Sequence, residues 1–164
     1  MSTEGTEGHG EHQGRIGFSV RSPARTGRIL PPRIADRAEP AEYTVAFVER
    51  AVRYYKAHGR EGAVAQFSSS ESVDGAWYVF IIDGSGRVIA HPNPEIIGRD
   101  MKGDLGVDSS GFRYGELALS ATEAGMWVDH LSVSNPTKDG SEEEVKHTWV
   151  VRYDGVFIGS GWYE

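Results

Sequence analysis

The sequence predicts an α+β domain in which a five-stranded antiparallel sheet carries helices on one face. Three observations predict it. Apolar residues recur at helical spacing after Pro40. From Trp77 onward the apolar period falls to two, which is typical of strands. Turns rich in glycine separate these strands, and helices followed by strands are typical of α+β proteins.

Composition limits the class of protein. The chain has 164 residues, enough for one domain with a hydrophobic core. It carries 24 Asp plus Glu against 17 Lys plus Arg, for a net charge of −7, so no nucleic-acid partner is expected. No run approaches the roughly 18 apolar residues of a membrane helix, so no membrane span is expected in this chain. The absence of cysteine excludes a disulfide framework.

The first part of the chain differs from the rest. Residues 1–38 are predicted to be a disordered or loosely attached arm in front of a single domain at 39–164, because Gly, Ser, Pro, Arg and His dominate there. The Arg-rich stretch at 15–37 indicates a solvated tail more than an anion-binding one. The first residues lack the apolar stretch of a secretory signal. The chain as it stands is therefore predicted to be cytoplasmic, and extracytoplasmic if the sequence is a fragment or its start is mis-assigned.

A long amphipathic helix is predicted after Pro40, a residue that suits the first helical turn. Its apolar stripe consists of Val45, Val48, Ala51, Val52 and Tyr55. Gly59 suits the position just after a helix, and a short second helix follows at 60–67. Phe47 and Tyr54 fall off the stripe, which favours a homodimer formed through this helix.

Five strands are predicted after the helices, at 77–83, 87–91, 126–133, 144–153 and 156–163. Turns of type Asp-Gly join the first strand to the second and the fourth to the fifth. Between strands two and three lies an irregular crossover, with one short helix predicted at 116–124. Loops of that length in compact domains usually cover a functional site.

Several motifs in this order resemble the single Cache domain, a small PAS-like sensor module of bacterial chemoreceptors and histidine kinases. They are YYKAHGREGAVAQF, AHPNP followed by IGRD, GMWVDH, the strand with Lys-x-Thr-Trp, and IGSGWY. The resemblance covers residues 43–164. It implies a PAS-like five-stranded antiparallel sheet with a long N-terminal helix on one face and a ligand pocket on the other.

The resemblance also implies a function. Such domains bind small metabolites, often short monocarboxylates such as pyruvate, lactate, acetate or propionate, and catalyse nothing. They usually lie outside the membrane between two transmembrane helices. This chain departs from that plan, because it shows neither membrane helices nor an output domain. The resemblance therefore leaves open a separate signalling partner.

His91 is one candidate for ligand binding, because it ends the second strand in front of Pro92. Proline disfavours a helical conformation in the preceding residue, so His91 is expected to be extended. A fixed backbone orients the imidazole before any ligand binds, which lowers the entropic cost of binding. Alternatively, Pro92 and Pro94 only end the strand and His91 is structural; the resemblance favours the binding role.

Lys146 is the second candidate. Alternation along 144–153 places Lys146 and Thr148 on one face of the strand, and His147 and Trp149 on the other. A lysine on a sheet face is usually exposed to solvent. If this face lines the pocket, the ammonium is the natural partner of a carboxylate, and Thr148 adds a hydroxyl contact.

Tyr78, Phe80 and Trp127 are expected to form aromatic walls of the pocket. Tyr78 and Phe80 share one face of the first strand, and Trp127 opens the third. Aromatic walls around one ammonium and one imidazole suit a small carboxylate with a short apolar tail. Core packing is the alternative explanation for each aromatic residue, and the better one for Phe80.

No enzyme activity is expected. Ser160 lacks the strand–turn–helix context of a hydrolase nucleophile, and the glycines at 84 and 86 lack the third glycine of a dinucleotide-binding loop. No cofactor or metal is expected, because alternation gives no reason to bring His91, His130 and His147 together. The alternative to a sensor is a dimerisation or interaction module with a vestigial pocket.

Overall fold

The long helix predicted after Pro40 is α1, which spans Pro40–Phe67 in the computed structural model. The structure describes residues 36–164, so most of the predicted arm at 1–38 lies outside the described residues, and the domain boundary stays a prediction. Gly59, with φ 76° and ψ 176°, interrupts the helical conformation inside α1. The two predicted helices are therefore present as two segments around Gly59. No helix within residues 36–164 is long and apolar enough to cross a membrane.

The strands form one antiparallel sheet in the order β2-β1-β5-β4-β3, which confirms the predicted fold class. Their bounds are Phe80–Ile82 for β1, Val88–Ala90 for β2, Met126–Ser132 for β3, Glu144–Tyr153 for β4 and Val156–Tyr163 for β5. The last two have the predicted bounds, whereas β1 and β2 are shorter than predicted. The pairing of β1 with β2 shifts register between Ile81 and Ile82, which interrupts the regular ladder.

A two-residue turn joins β4 to β5 at the predicted place. Asp154 and Gly155 both have positive φ, of 52° and 74°. Turns with positive φ at both central residues match the twist of a hairpin. The turn pairs Tyr153 with Val156, and the same register continues to Lys146 opposite Tyr163.

One face of the sheet packs against α1, as predicted. The core on this face contains Val48, Ala51 and Tyr55 from the helix, together with Val79, Ile81, Val156 and Ile158 from the sheet and the residues before it. Buried apolar surface of this kind is the main favourable term in folding. The indole Nε1 of Trp77 donates to the buried Thr44 hydroxyl at 2.9 Å, so these two polar groups are paired at the interface.

Phe47 lies in this same core, although it falls off the predicted stripe. Its side chain is 6% exposed and packs with the buried residues beneath α1. Tyr54 is half-buried and stacks on His58 with a centroid distance of 4.0 Å. Phe47 therefore does not provide the free surface on which the homodimer prediction was based, and the homodimer itself stays a prediction.

The crossover between β2 and β3 covers the opposite face of the sheet. It contains α2, which spans Tyr114–Ala118 and so begins earlier and ends sooner than the helix predicted at 116–124. Met101 and Ala118 of the crossover pack against Val128, Val150 and Phe157 in a second core. The long crossover is thus packed against the sheet, and it leaves a cavity at one place.

Candidate functional site

A cavity of about 70 Å³ lies between the sheet and the crossover. It is on the face opposite α1, where the resemblance implies a pocket. Five of the six predicted site residues line it, namely Tyr78, Phe80, His91, Lys146 and Thr148. Trp127 is the exception. Residues of the crossover, including Met101 and Tyr114, form the other wall.

Two glycines of the central strand β5 make room for the cavity. A Cβ atom on Gly159 would lie 2.4 Å from Cζ of Phe80. A Cβ atom on Gly161 would lie 2.3 Å from the carbonyl oxygen of His147 and 3.1 Å from Cε of Lys146. Real Cβ atoms essentially never approach another atom to 2.3 or 2.4 Å, so a side chain at Gly159 would displace the Phe80 ring, and one at Gly161 would displace the backbone of β4 next to Lys146. The signal was present as alternating glycines in IGSGWY, but sequence reasoning used the motif only for the resemblance.

Lys146 is the central cation of the site. Its side chain is buried, with the residue only 4% exposed, and its Nζ donates a hydrogen bond to the Tyr78 hydroxyl at 2.8 Å. Nζ also lies 4.4 Å from the centroid of the Tyr78 ring and 5.4 Å from that of Phe80, within cation–π range. No Asp or Glu within residues 36–164 forms an ion pair with it. A buried charge without an opposite charge is costly, so this ammonium favours an anion beside it.

Tyr163 continues the hydrogen-bonded chain that runs from Lys146 to Tyr78. Its hydroxyl lies 3.0 Å from that of Tyr78. Burial, reinforced by the neighbouring Tyr78, raises the pKa of Tyr163 well above its usual value, so the phenol stays neutral at physiological pH. Tyr163 therefore supplies a neutral hydroxyl group beside Tyr78.

His91 is neutral and held in one tautomer. Its Nδ1 accepts a hydrogen bond from the backbone N–H of Asn93 at 2.9 Å. Burial, followed by the nearby Lys146 charge, lowers the pKa of His91 to about 3. A neutral imidazole that accepts at Nδ1 carries its proton on Nε2, so His91 presents an N–H donor. The imidazole is thus oriented by the turn that Pro92 and Pro94 flank.

His130 also lines the cavity, and sequence reasoning considered it only as a metal ligand. Its Nδ1 lies 3.0 Å from the carbonyl oxygen of Leu131. Burial, followed by the charge of Lys146, lowers the pKa of His130 to about 4. Because a carbonyl only accepts, Nδ1 carries the proton and Nε2 is an unprotonated acceptor. The available signal was alternation along β3, which places His130 on the same face as Val128.

Thr148 lies beside Lys146 on the cavity face, as alternation along β4 predicted. The residue is 4% exposed, and its hydroxyl has no hydrogen-bond partner within the described part of the chain. Burying a hydroxyl without a partner costs about 1–3 kcal/mol. The Thr148 hydroxyl is therefore available to a bound molecule.

The prediction that Trp127 lines the pocket is wrong. The residue is 37% exposed and packs on the other face of the sheet, 5.1 Å from Trp149 and 5.5 Å from Trp162 between ring centroids. Trp127 pairs with Trp149 across β3 and β4, and Trp149 points away from Lys146. Side chains of paired residues share a face, so Trp127 is directed away from the cavity.

The described residues 36–164 contain no group of three or more His, Asp or Glu side chains that could hold a metal ion. His91 and His130 line the cavity, whereas His147 lies on the other face. There His147 contacts Asp129 at 3.0 Å and Glu164 at 2.5 Å. The three histidines are therefore not brought together.

Several solved structures are similar to this chain, and three of them are described below. A methyl-accepting chemotaxis protein from Vibrio parahaemolyticus matches with a TM-score of 0.56 and 15% identity, over 77% of this chain and 87% of that one. A periplasmic sensor domain of a chemotaxis protein matches with a TM-score of 0.52 and 22% identity, over 77% and 91%. A Cache chemosensory domain, studied for its recognition of carboxylic acids, matches with a TM-score of 0.58 and 24% identity, over 77% and 94%.

No protein-family model and no curated protein matches the sequence. The structural matches show that the chain has the fold of a single Cache-like sensor domain, as its motifs predicted.

Proposed function

We propose that this domain is a sensor module that binds a small monocarboxylate in the cavity and catalyses no reaction. The observation that carries the proposal is the buried Lys146 ammonium, in a cavity lined by no Asp or Glu side chain of the described residues. An unpaired interior charge costs several kcal/mol, so an anion that reaches it is bound favourably. The similar Cache domain that recognises carboxylic acids supports the same class of ligand.

The cavity has a polar end and an apolar end. His130 and Lys146 line the cavity as neighbours across β3 and β4, and Tyr163, which is outside the lining, lies opposite Lys146 on β5 and continues this polar row. Further along the strands, the lining changes to Phe80 and Val88. A ligand with a carboxylate at one end and a short carbon chain at the other matches this distribution.

The size of the cavity favours a molecule of a few heavy atoms. One water needs at least about 10–15 Å³ of such space. A cavity of about 70 Å³ therefore holds a molecule several times larger than water. Acetate, propionate, pyruvate and lactate are in this range.

Five of the lining residues have a role in the proposal. Lys146 pairs with the carboxylate, and the Nε2–H group of His91 donates to one of its oxygens. The Thr148 hydroxyl supplies another contact, while Tyr78 and Phe80 contact the carbon chain. Charge-assisted hydrogen bonds are roughly twice as strong as neutral ones, so Lys146 contributes most of the affinity.

Several wider predictions accompany this proposal. A homodimer through α1 and a separate signalling partner stay predictions, and so does the compartment. One of the similar structures is a periplasmic sensor domain, which supports an extracytoplasmic location for this domain too. The alternative function is a dimerisation or interaction module whose cavity binds nothing.

A thermal-shift screen of the full chain with acetate, propionate, pyruvate and lactate tests the proposal. A sensor is stabilised by at least one of these acids, because a ligand that binds only the folded state raises the unfolding temperature. Sodium chloride at equal ionic strength is the control for a general salt effect. If none of the acids raises the unfolding temperature, the proposed sensor function is wrong, and the interaction module is then the favoured function.

A further inference from the structure

The two imidazoles in the cavity have opposite hydrogen-bonding character. His91 offers a donor at Nε2, because its Nδ1 accepts from the backbone of Asn93. His130 offers an acceptor at Nε2, because its Nδ1–H donates to the carbonyl of Leu131. Nε2 of His130 has no hydrogen-bond partner within residues 36–164. A plain carboxylate, which only accepts, uses the donor of His91 and leaves the acceptor of His130 unpaired.

The acceptor of His130 is held firmly in place. The ring stacks on Tyr114 with a centroid distance of 3.6 Å and an interplanar angle of 3°. The neighbouring backbone N–H of Leu131 donates to the Asp108 carboxylate at 3.0 Å, which fixes the strand beside the imidazole. Asp108 is itself held by the backbone and hydroxyl groups of Ser110. The crossover therefore positions this imidazole from two sides, which is the usual requirement for a selective polar contact.

We propose that the site selects short hydroxy acids, with the carboxylate on Lys146 and the ligand hydroxyl donating to Nε2 of His130. This inference rests on the proposed binding of carboxylates at the same site. His130 and Lys146 are paired across β3 and β4, so a molecule on one lies close to the other. The depressed pKa of His130, about 4, keeps the acceptor unprotonated at physiological pH.

The same chemistry disfavours two other classes of acid. An oxo acid such as pyruvate places a carbonyl oxygen where the lone pair of His130 points, so two acceptors face each other. An amino acid brings an ammonium next to Lys146, and the cavity lining within the described residues contains no carboxylate to receive it. Of these classes of short acid, only a hydroxy acid can accept from Nε2–H of His91, pair with the charge of Lys146 and donate to Nε2 of His130 at the same time.

Titration calorimetry of the full chain at neutral pH tests this selectivity with propionate, pyruvate, both enantiomers of lactate, and 3-hydroxypropionate. These acids share a three-carbon skeleton and differ in their oxygen substituent. At least one hydroxy acid is expected to bind roughly tenfold more tightly than propionate, as one additional hydrogen bond warrants. Pyruvate is expected to bind no better than propionate.

The variant His130→Phe keeps a flat ring to stack on Tyr114 and removes the acceptor. The variant is expected to bind the hydroxy acid and propionate about equally well, while its affinity for propionate stays within about threefold of that of the unmodified protein. His147→Phe is the matched control, because His147 lies on the other face of the sheet, and it is expected to keep the preference.

Nitrogen-15 NMR of the imidazoles in the unmodified protein gives a second readout that needs no variant. His130 is expected to be protonated at Nδ1, and its Nε2 signal is expected to shift with lactate or 3-hydroxypropionate but not with propionate. A proton on Nε2 of His130, or equal affinities for propionate and the hydroxy acids, overturns the inference and leaves the proposed function standing. If none of the acids binds, the proposed function itself is overturned.

Discussion

Replacing Lys146 by Met removes the ammonium from the cavity while keeping most of the volume of its aliphatic stem. In the proposed complex this ammonium donates a charge-assisted hydrogen bond to the carboxylate. Such a bond contributes about 1.5–3 kcal/mol, which corresponds to a loss of affinity of roughly 10- to 150-fold. The variant is therefore expected to lose measurable binding of the best acid from the screen in titration calorimetry.

The same substitution is expected to leave the unliganded domain folded and no less stable. It removes one hydrogen bond to Tyr78, but Tyr78 keeps its partner Tyr163 at 3.0 Å. It also removes an ammonium that is 4% exposed and has no opposite charge nearby, and the cost of burying it exceeds the value of one hydrogen bond. The midpoint of urea unfolding of Lys146→Met is expected at or above that of the unmodified protein.

Lys56→Met is the matched control. Lys56 is an exposed lysine of α1 whose ammonium lies 5.3 Å from the Tyr153 ring, on the face of the sheet opposite the cavity. It removes the same charge from the protein without touching the cavity, so affinity is expected to stay unchanged. If Lys146→Met binds as tightly as the unmodified protein, the carboxylate does not lie on Lys146 and the placement of the site is wrong.

Three further predictions concern the cavity and its surroundings. Gly161→Ala places a Cβ atom 2.3 Å from the His147 carbonyl oxygen, so it is expected to lower the free energy of unfolding by roughly 1–3 kcal/mol in urea titrations. It is also expected to weaken acid binding. An unchanged free energy of unfolding would contradict the close packing around β5. Trp127→Ala is expected to keep the acid affinity within about twofold of that of the unmodified protein, because the residue faces away from the cavity. A large loss of affinity would show that Trp127 does contribute to the binding site. The folded-state pKa values of His91 and His130, about 3 and about 4, lie below the usual 6.5. As the pH falls, the unfolded chain therefore binds protons at these histidines before the folded chain does. The stability of the domain is expected to fall as the pH falls from about 6.5 toward 4. The double variant with Phe at both positions is expected to flatten this part of a urea-unfolding series against pH, and an unchanged slope would show that the histidines are not buried in neutral form.

Alternation within a single strand was enough to predict part of the cavity lining. The phase of β4 correctly placed Lys146 and Thr148 on one face, because both lie in one long regular strand. The bounds of β4 and β5 were correct because the clear turn at Asp154 and Gly155 separates two long runs of strand residues. The same reasoning placed Tyr78 and Phe80 on a shared face, although the ladder of β1 begins only at Phe80.

The register of one strand against its neighbour could not be predicted from alternation. Whether Trp127 or Val128 faces Lys146 depends on the register of β3 against β4, and the sequence between these strands does not reveal it. His130 was missed as a cavity residue for the same reason. The tautomers of both histidines depend on backbone groups one or two residues away, whose direction is a property of the folded chain. The role of the glycines in β5 depends on Phe80 and Lys146, which lie in other strands.

The turn at Asp154 and Gly155 also decides whether the cavity exists. Successive residues of β5 point to opposite faces, with Val156 and Ile158 toward α1 and Gly159 and Gly161 toward the cavity. A change in the length of the turn by one residue would exchange the two sets. The side chains of Ser160 and Trp162 would then lie on the cavity face beside Lys146, and glycines would leave a void under the helix. Insertions or deletions of one residue in this two-residue hairpin are therefore expected to abolish the binding site and the main core together, whereas the irregular crossover offers positions where the chain can change length without inverting a strand.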